Sequence, residues 1–153
     1  MAFERGATRV LQRYWRWSRG LTLGVQGLVL DDAGRVLLLR HTYRPGWHFP
    51  GGGVERDETT RLALGRELAE EAGIELAGDP ELFGIYANFR SFPSDHIVLY
   101  VVRQWRQPSR PGPNAEIAEH DFFSRDALPA ATVGGVHRRL AEVLDAAHRS
   151  ETW

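Results

Sequence analysis

Three glutamates stand within five positions in the stretch GRELAEEAG, residues 65 to 73. On a helix, Glu67, Glu70 and Glu71 fall within one arc of about 100°, beside a stripe of Leu64, Gly65, Leu68 and Ala72 that faces inward. No lysine or arginine follows three or four residues later to neutralise them. Like charges at that spacing cost an exposed helix only a few tenths of a kcal/mol each, so a solvated acidic face is one reading. The other is a set of hard oxygen ligands. With no cysteine in the chain and no histidine cluster nearby, such ligands select Mg²⁺ or Mn²⁺ over zinc. The countercharge absent from the sequence would then come from a cation.

The segment that must position these carboxylates reads WHFPGGGVERDETTRLALGRELAEEAGI, residues 47 to 74. It begins as a strand end, passes Pro50 and three glycines, and becomes a helix from about Asp57 or Glu58. Gly73, suited to the left-handed position that ends a helix, stops it. Gly51, Gly52 and Gly53 carry nothing on their Cα atoms, so their backbone can come close to a phosphate or a metal; a tight strand-to-helix turn is compatible with that role.

The flanking runs LTLGVQGLVL (21 to 30) and RVLLLRH (35 to 41), joined by DDAG, predict a hairpin, and LFGIYANF (82 to 89) with DHIVLYVVRQW (95 to 105) predicts a second. RQPSRPGPNAE (106 to 116), with three prolines and one glycine, predicts a mobile loop. Val136, Leu140, Val143, Leu144 and Ala147 predict a closing helix within 133 to 149. At the other end, RVLQRYWRWS (9 to 18) predicts a short basic helix. It sets Arg9, Arg13 and Arg16 on one stripe, opposite aromatics that would dock on the sheet or a second subunit; binding an anionic surface is the alternative.

The 153 residues, 42% hydrophobic and 25% charged, suffice for one core. Residues 1 to 20 read as a helical extension and 21 to 153 as a single domain. A net charge of -1 announces neither a global nucleic-acid-binding field nor a disordered acidic chain. The lack of cysteine excludes disulfides and thiolate nucleophiles and suits a reducing compartment. No stretch approaches the roughly 18 apolar residues of a membrane span. The expectation is a soluble cytoplasmic protein, and five tryptophans with an aromatic N-terminal helix point to a homodimer.

The fixed positions form a longer pattern: Gly52, five residues, Glu58, seven residues, Arg66-Glu67, Leu68, one residue, Glu70-Glu71, one residue, Gly73, Ile74. This closely resembles the signature box of the Nudix hydrolase family, with every place filled, and the flanking hairpins and closing helix resemble the family's order of elements. The resemblance implies an α/β/α sandwich with a mixed central sheet, and hydrolysis of a pyrophosphate linkage in a nucleoside diphosphate joined to another group. It gives Glu67, Glu70 and Glu71 the metal-ligand places and has Glu58 and Arg66 shape the loop, with Gly73 a structural position of the motif; Gly51 is counted with the three glutamates among the expected metal-site residues, and the glutamates are the expected catalytic groups. An anionic pyrophosphate would be repelled by three carboxylates, so cations must lie between them. Metal would polarise the phosphate and acidify the attacking water, and a nearby carboxylate would take the proton.

In the family the base moves between box glutamates and a later loop, which NAEIAEHDFF (114 to 123) resembles. Glu116 is the preferred extra ligand or base and Glu119 the second choice; a surface glutamate is the plain alternative. Arg40, Arg44 and Arg90, together with Gly52 and Gly53, are candidates for binding phosphate, against solvated surface arginines. Tyr43, Trp47 and Phe89 are candidates for base stacking or core, and His41, His48 and His96 for structural or substrate contacts. The resulting expectation is a Mg²⁺-dependent hydrolase acting on a nucleotide sugar such as ADP-ribose. The alternatives are a nucleoside triphosphate or dinucleoside polyphosphate pyrophosphohydrolase, a non-catalytic nucleotide-binding module, and RNA decapping through the basic N-terminal stripe.

Overall fold

The computed structural model describes Tyr14 and residues 18–153. Its elements are β1 (Thr22–Val29), β2 (Val36–His41), β3 (Trp47–His48), β4 (Gly51–Gly53), α1 (Thr60–Ala72), β5 (Glu75–Leu76), β6 (Glu81–Ala87), β7 (Asp95–Val102), β8 (Trp105–Arg106), β9 (Ile117–Phe123) and α2 (Gly134–Leu144). β1 and β7 are apolar along their inner lengths because both of their faces are covered. Val25, Val29, Val98, Tyr100 and Val102 pack with Leu64, Leu68 and Ala72 of α1. The alternate residues Leu28, Leu99 and Val101 pack with Val136 and Leu140 of α2. This period of two, read on both faces, sandwiches the sheet between two helices. The principal sheet has strand order β4-β1-β7-β6 and is mixed, because β1 runs parallel to β7 and antiparallel to β4.

The second expected hairpin forms, as β6 and β7 pair antiparallel. The first does not. The DDAG turn closes, with Asp31 accepting from the backbone N–H groups of Ala33 and Arg35. The strands then part after a single bridge, Leu30 to Val36, and β2 joins a separate sheet of order β3-β2-β9. Burial explains the divergence. Leu37 reaches one core and Val36 and Leu38 the other, so β2 completes both layers from its own sheet.

Helix α1 starts at Thr60, later than Asp57 or Glu58. Asp57 adopts φ 62, and the Glu58 carboxylate accepts from the Glu55 N–H at 2.9 Å, so these residues form a turn. Thr59 then caps the helix, its hydroxyl accepting from Leu62 N–H. At the other end Gly73, φ 65, occupies the left-handed cap as expected. The buried residues are Ala63, Leu64, Leu68, Glu71 and Ala72, while Gly65, expected among them, is half-buried.

The loop following β8 is tied down rather than loose. Gln107 Nε2 donates to the Ala72 carbonyl, Arg110 Nη2 to the His120 carbonyl, and His120 Nε2 lies 2.9 Å from the Pro111 carbonyl. Helix α2 stops at Leu144, short of the expected Ala147, where Asp145 leaves helical geometry and Ala146 takes φ 52. Its buried face also holds Arg139 and Glu142. The expected helix over 9 to 18 lies outside the described residues apart from Tyr14 and Ser18.

A side chain at Gly73 would adopt an unfavourable φ and its Cβ would collide with the Ser109 carbonyl oxygen. Gly73→Ala is expected to lower stability by about 2 kcal/mol or more, measured as a lower urea midpoint with unchanged slope.

Candidate functional site

The pairing of β4 with β1 sets Gly53, Gly52 and Gly51 opposite Gly24, Val25 and Gln26. Helix α1 covers the same end of the sheet and brings its carboxylates onto the glycine backbone. Gly51 donates its N–H to Glu71 Oε2 at 2.7 Å. Its φ of 148 and the collision that a Cβ would make with the Val25 carbonyl oxygen allow only glycine there. At Gly52 a Cβ would strike the Glu67 carboxylate. Gly53 has open space around it.

Arg66 ties this turn to the helix. Its Nε and Nη2 donate to the two oxygens of Glu58 at 3.0 Å each, Nη2 also to the Gly53 carbonyl at 3.0 Å, and Nη1 to Glu67 Oε1 at 2.7 Å. Nη1 also lies 3.6 Å from Glu70 Oε2. The sequence rule that looked three and four residues downstream therefore missed a countercharge, one residue upstream of Glu67. Hydrogen bonding to Arg66 holds the Glu58 carboxyl below its ordinary range.

Glu71 is left without such a partner. It is 7% exposed, and burial pushes its carboxyl up to about 8 against the Gly51 N–H; the charges of Glu67 and Glu116 push the same way and that of Arg44 opposes. Burial also raises Glu67 despite Arg66. The Glu70 side chain is 61% exposed. Among the described residues no three acidic or histidine side chains converge as a metal-binding group. Glu67 lies on Arg66, Glu71 on Gly51, and Glu70 in solvent. The donors nonetheless suit a hard divalent cation: they offer oxygen alone, and the buried Glu71 carboxyl forms no ion pair among the described residues.

Arg44 is brought to the site. Its Nη2 donates to His41 Nε2 at 2.8 Å, which makes His41 a neutral acceptor; burial, then the adjacent charge, lowers that imidazole to about 4. Arg44 Nε is buried without a partner among the described residues. Glu116 is exposed, with its charge felt at Glu71. Arg40 lies 3.3 Å from Glu119 across the β2–β9 ladder and lines, with Tyr43 and Arg44, a separate groove of about 310 Å³. Trp47 is core, edge-on to Phe123 at 4.8 Å, whereas Tyr43 lies exposed against His41.

A pocket of about 380 Å³ adjoins the glycine turn. Gln26 and Ile97 line it from the sheet; Arg44 and His48, the loop Asn88–Ser91, and Arg138 with Trp153 line the rest. Arg90 and Phe89 thus fall here, with Phe89 edge-on to His96 at 5.3 Å. A groove of about 250 Å³ over Gly51–Gly53 shares Gln26, Arg44, Asn88 and Ile97 with it. Sequence reasoning missed Gln26, Asn88, Arg138 and Trp153. Gln26 carried a signal, as a polar residue inside an apolar strand; the others carried none, since they meet only through the fold.

The NUDIX domain family model matches residues 20–144. A MutT-like protein of Streptomyces ambofaciens is 40% identical over 67 residues, 44% of this chain and 43% of that protein. An RNA pyrophosphohydrolase of Halorhodospira halophila is 38% identical over 88 residues, 58% of this chain and 39% of that protein. The chain thus matches less than half the length of these curated relatives. Among solved structures, a MutT Nudix hydrolase from Burkholderia pseudomallei superposes with a TM-score of 0.68 at 24% identity, over 80% of this chain and 97% of that one. An ADP-ribose pyrophosphatase from Streptococcus suis gives 0.62 at 26% identity, over 86% and 95%. A family match running from the residues before β1 to the last residue of α2, on a backbone that superposes on Nudix structures, makes this chain a member of the Nudix family.

Proposed function

We propose that this chain is a Mg²⁺-dependent pyrophosphohydrolase that splits a nucleoside diphosphate derivative, of the ADP-ribose kind, into two phosphate monoesters. The observation that carries this reading is the buried Glu71 carboxyl, seated on the Gly51 N–H beside Glu67, with the Arg44 charge acting on it but no ion pair formed among the described residues. Glu67, Glu70 and Glu71 would hold the cation, with Gly51 orienting Glu71. Bound there, Mg²⁺ would neutralise the phosphate oxygens and acidify the attacking water.

The chain's own groups supply the remainder. Arg66 fixes Glu58, Glu67 and the Gly53 carbonyl together, which keeps the turn and helix in register. Arg44, held by neutral His41, and Arg90 bind the phosphates, while Gly53 leaves open space for them to approach and Gly52 leaves room for Glu67. Glu116 takes the proton as water oxygen attacks phosphorus and the bridging P–O bond breaks. The pocket beside the turn receives one flank of the substrate. The likeness to the Streptococcus suis ADP-ribose pyrophosphatase supports the nucleotide-sugar choice. The local identity to MutT-like and RNA pyrophosphohydrolase proteins favours cleavage of a triphosphate as the second reading. Residues 21 to 153 form the catalytic domain and 1 to 20 an extension, in a cytoplasmic homodimer; light scattering on eluted protein tests the dimer.

Incubation of ADP-ribose with the protein and Mg²⁺ should release AMP and ribose 5-phosphate. Release of pyrophosphate from nucleoside triphosphates, with ADP-ribose untouched, would favour the second reading. Nucleotide binding without any product would point to a non-catalytic module. Glu70→Gln and Glu71→Gln should each lower turnover by about 10² or more while circular dichroism stays native. Near-normal turnover in both removes the catalytic assignment. Chelation should abolish activity, and Mg²⁺ should raise the melting temperature of chelator-treated wild type but not of Glu71→Gln.

A further inference from the structure

The segment Ser150–Trp153 folds back onto the sheet beside the pocket. Ala87 N–H donates to the Glu151 carbonyl at 2.9 Å and Trp153 N–H to the Ala87 carbonyl at 3.0 Å, a parallel bridge onto the end of β6. Helix α2 grips the same segment from the other side. Arg139 Nη1 donates to the Thr152 carbonyl at 3.0 Å, Arg138 Nη2 to the Trp153 carbonyl at 2.9 Å, and Ser150 N–H to Glu142 Oε1 at 2.9 Å. The centre of this grip is a buried ion pair. Arg139, 0% exposed, meets Glu142 Oε1 at 2.6 Å, and Tyr86 Oη donates to Glu142 Oε2 at 2.8 Å.

Buried ion pairs rarely improve on apolar side chains of the same volume, because desolvation offsets their attraction. What this pair adds is placement. The Arg139 guanidinium lies over the rings of Tyr86 at 4.0 Å and Trp153 at 5.3 Å. The indole is edge-on to Tyr86 and Phe49, and its Nε1 comes so close to Gly135 that a Cβ there would sit 2.7 Å away. Trp153 is nonetheless partly exposed and lines the same pocket as Phe89, Arg44 and Arg90. A pocket that brings an indole and guanidinium groups together is suited to a planar ring that carries phosphate.

Building on the nucleotide reading above, we infer that Trp153 is the pocket wall that recognises the base of the substrate, and that Arg139 and Glu142 are positioning residues that set it there. AMP and ribose 5-phosphate, the two halves of ADP-ribose, separate a base contact from a phosphate contact. Calorimetric titration of each into the full chain with Mg²⁺ should show Trp153→Ala weakening AMP about tenfold, the size of a lost base–aromatic stack, with ribose 5-phosphate changed by less than about twofold. Trp153→Phe should retain most of the AMP affinity. Arg139→Met should reproduce Trp153→Ala, raising KM for ADP-ribose with kcat little altered; if its melting curve reveals an unfolded protein, the isosteric Glu142→Gln serves instead. Equal AMP binding by wild type and Trp153→Ala overturns the inference while leaving the hydrolase reading intact. Wild type that binds neither compound refutes the nucleotide reading itself, and the inference with it.

Discussion

The site depends on one contact, a backbone N–H of the glycine turn meeting a carboxylate that the fold has removed from water. Gly51 donates to Glu71, and that bond is available only because β4 lies on β1 and α1 lies on the same end of the sheet. A buried carboxylate with one neutral donor is poorly compensated. Arg66 relieves Glu67 and Glu58 but does not reach Glu71. The arrangement is thus electrostatically unfinished at one position, which gives the cation reading its physical content.

The two faces of the principal sheet divide the work. On the α1 face, the odd residues of β1 and the even residues of β7 build the core that carries the carboxylates. On the α2 face, Gln26 and Ile97 give way to the pocket where the core thins. Gly51–Gly53 mark the border, and Arg44 belongs to both sides: it lines the pocket while its charge acts on Glu71. Neutral His41 is a suitable neighbour for that guanidinium, because it holds an N–H without competing for the charge.

Much of this was legible in the residues. The spacing of Glu67, Glu70 and Glu71 and the glycines before them belong to one continuous segment, and periodicity reports local geometry well. The second hairpin and the end of α1 were legible for the same reason. Pairing between distant segments was not. Nothing in LTLGVQGLVL or RVLLLRH says that two adjacent strands will enter different sheets, since each is apolar enough for either. Arg66 escaped as the countercharge because it precedes the glutamates, next to Glu67 and four residues before Glu70, rather than following them. The apolar pattern of the last helix concealed Arg139 and Glu142, whose burial depends on Tyr86 and on residues beyond the helix.

The order β4-β1-β7-β6 leaves two strands with an open row of backbone groups, and both are blunted. β4 is three residues long, has no side chains to interdigitate with a neighbour, and sits beside acidic groups. β6 is distorted by an irregular register between Leu82 and Gly84 and capped at Ala87 by Thr152. Short length, charge and bulging are the means by which sheets avoid recruiting foreign strands. The short glycine strand and the carboxylates beside it therefore also guard the sheet against edge-to-edge pairing.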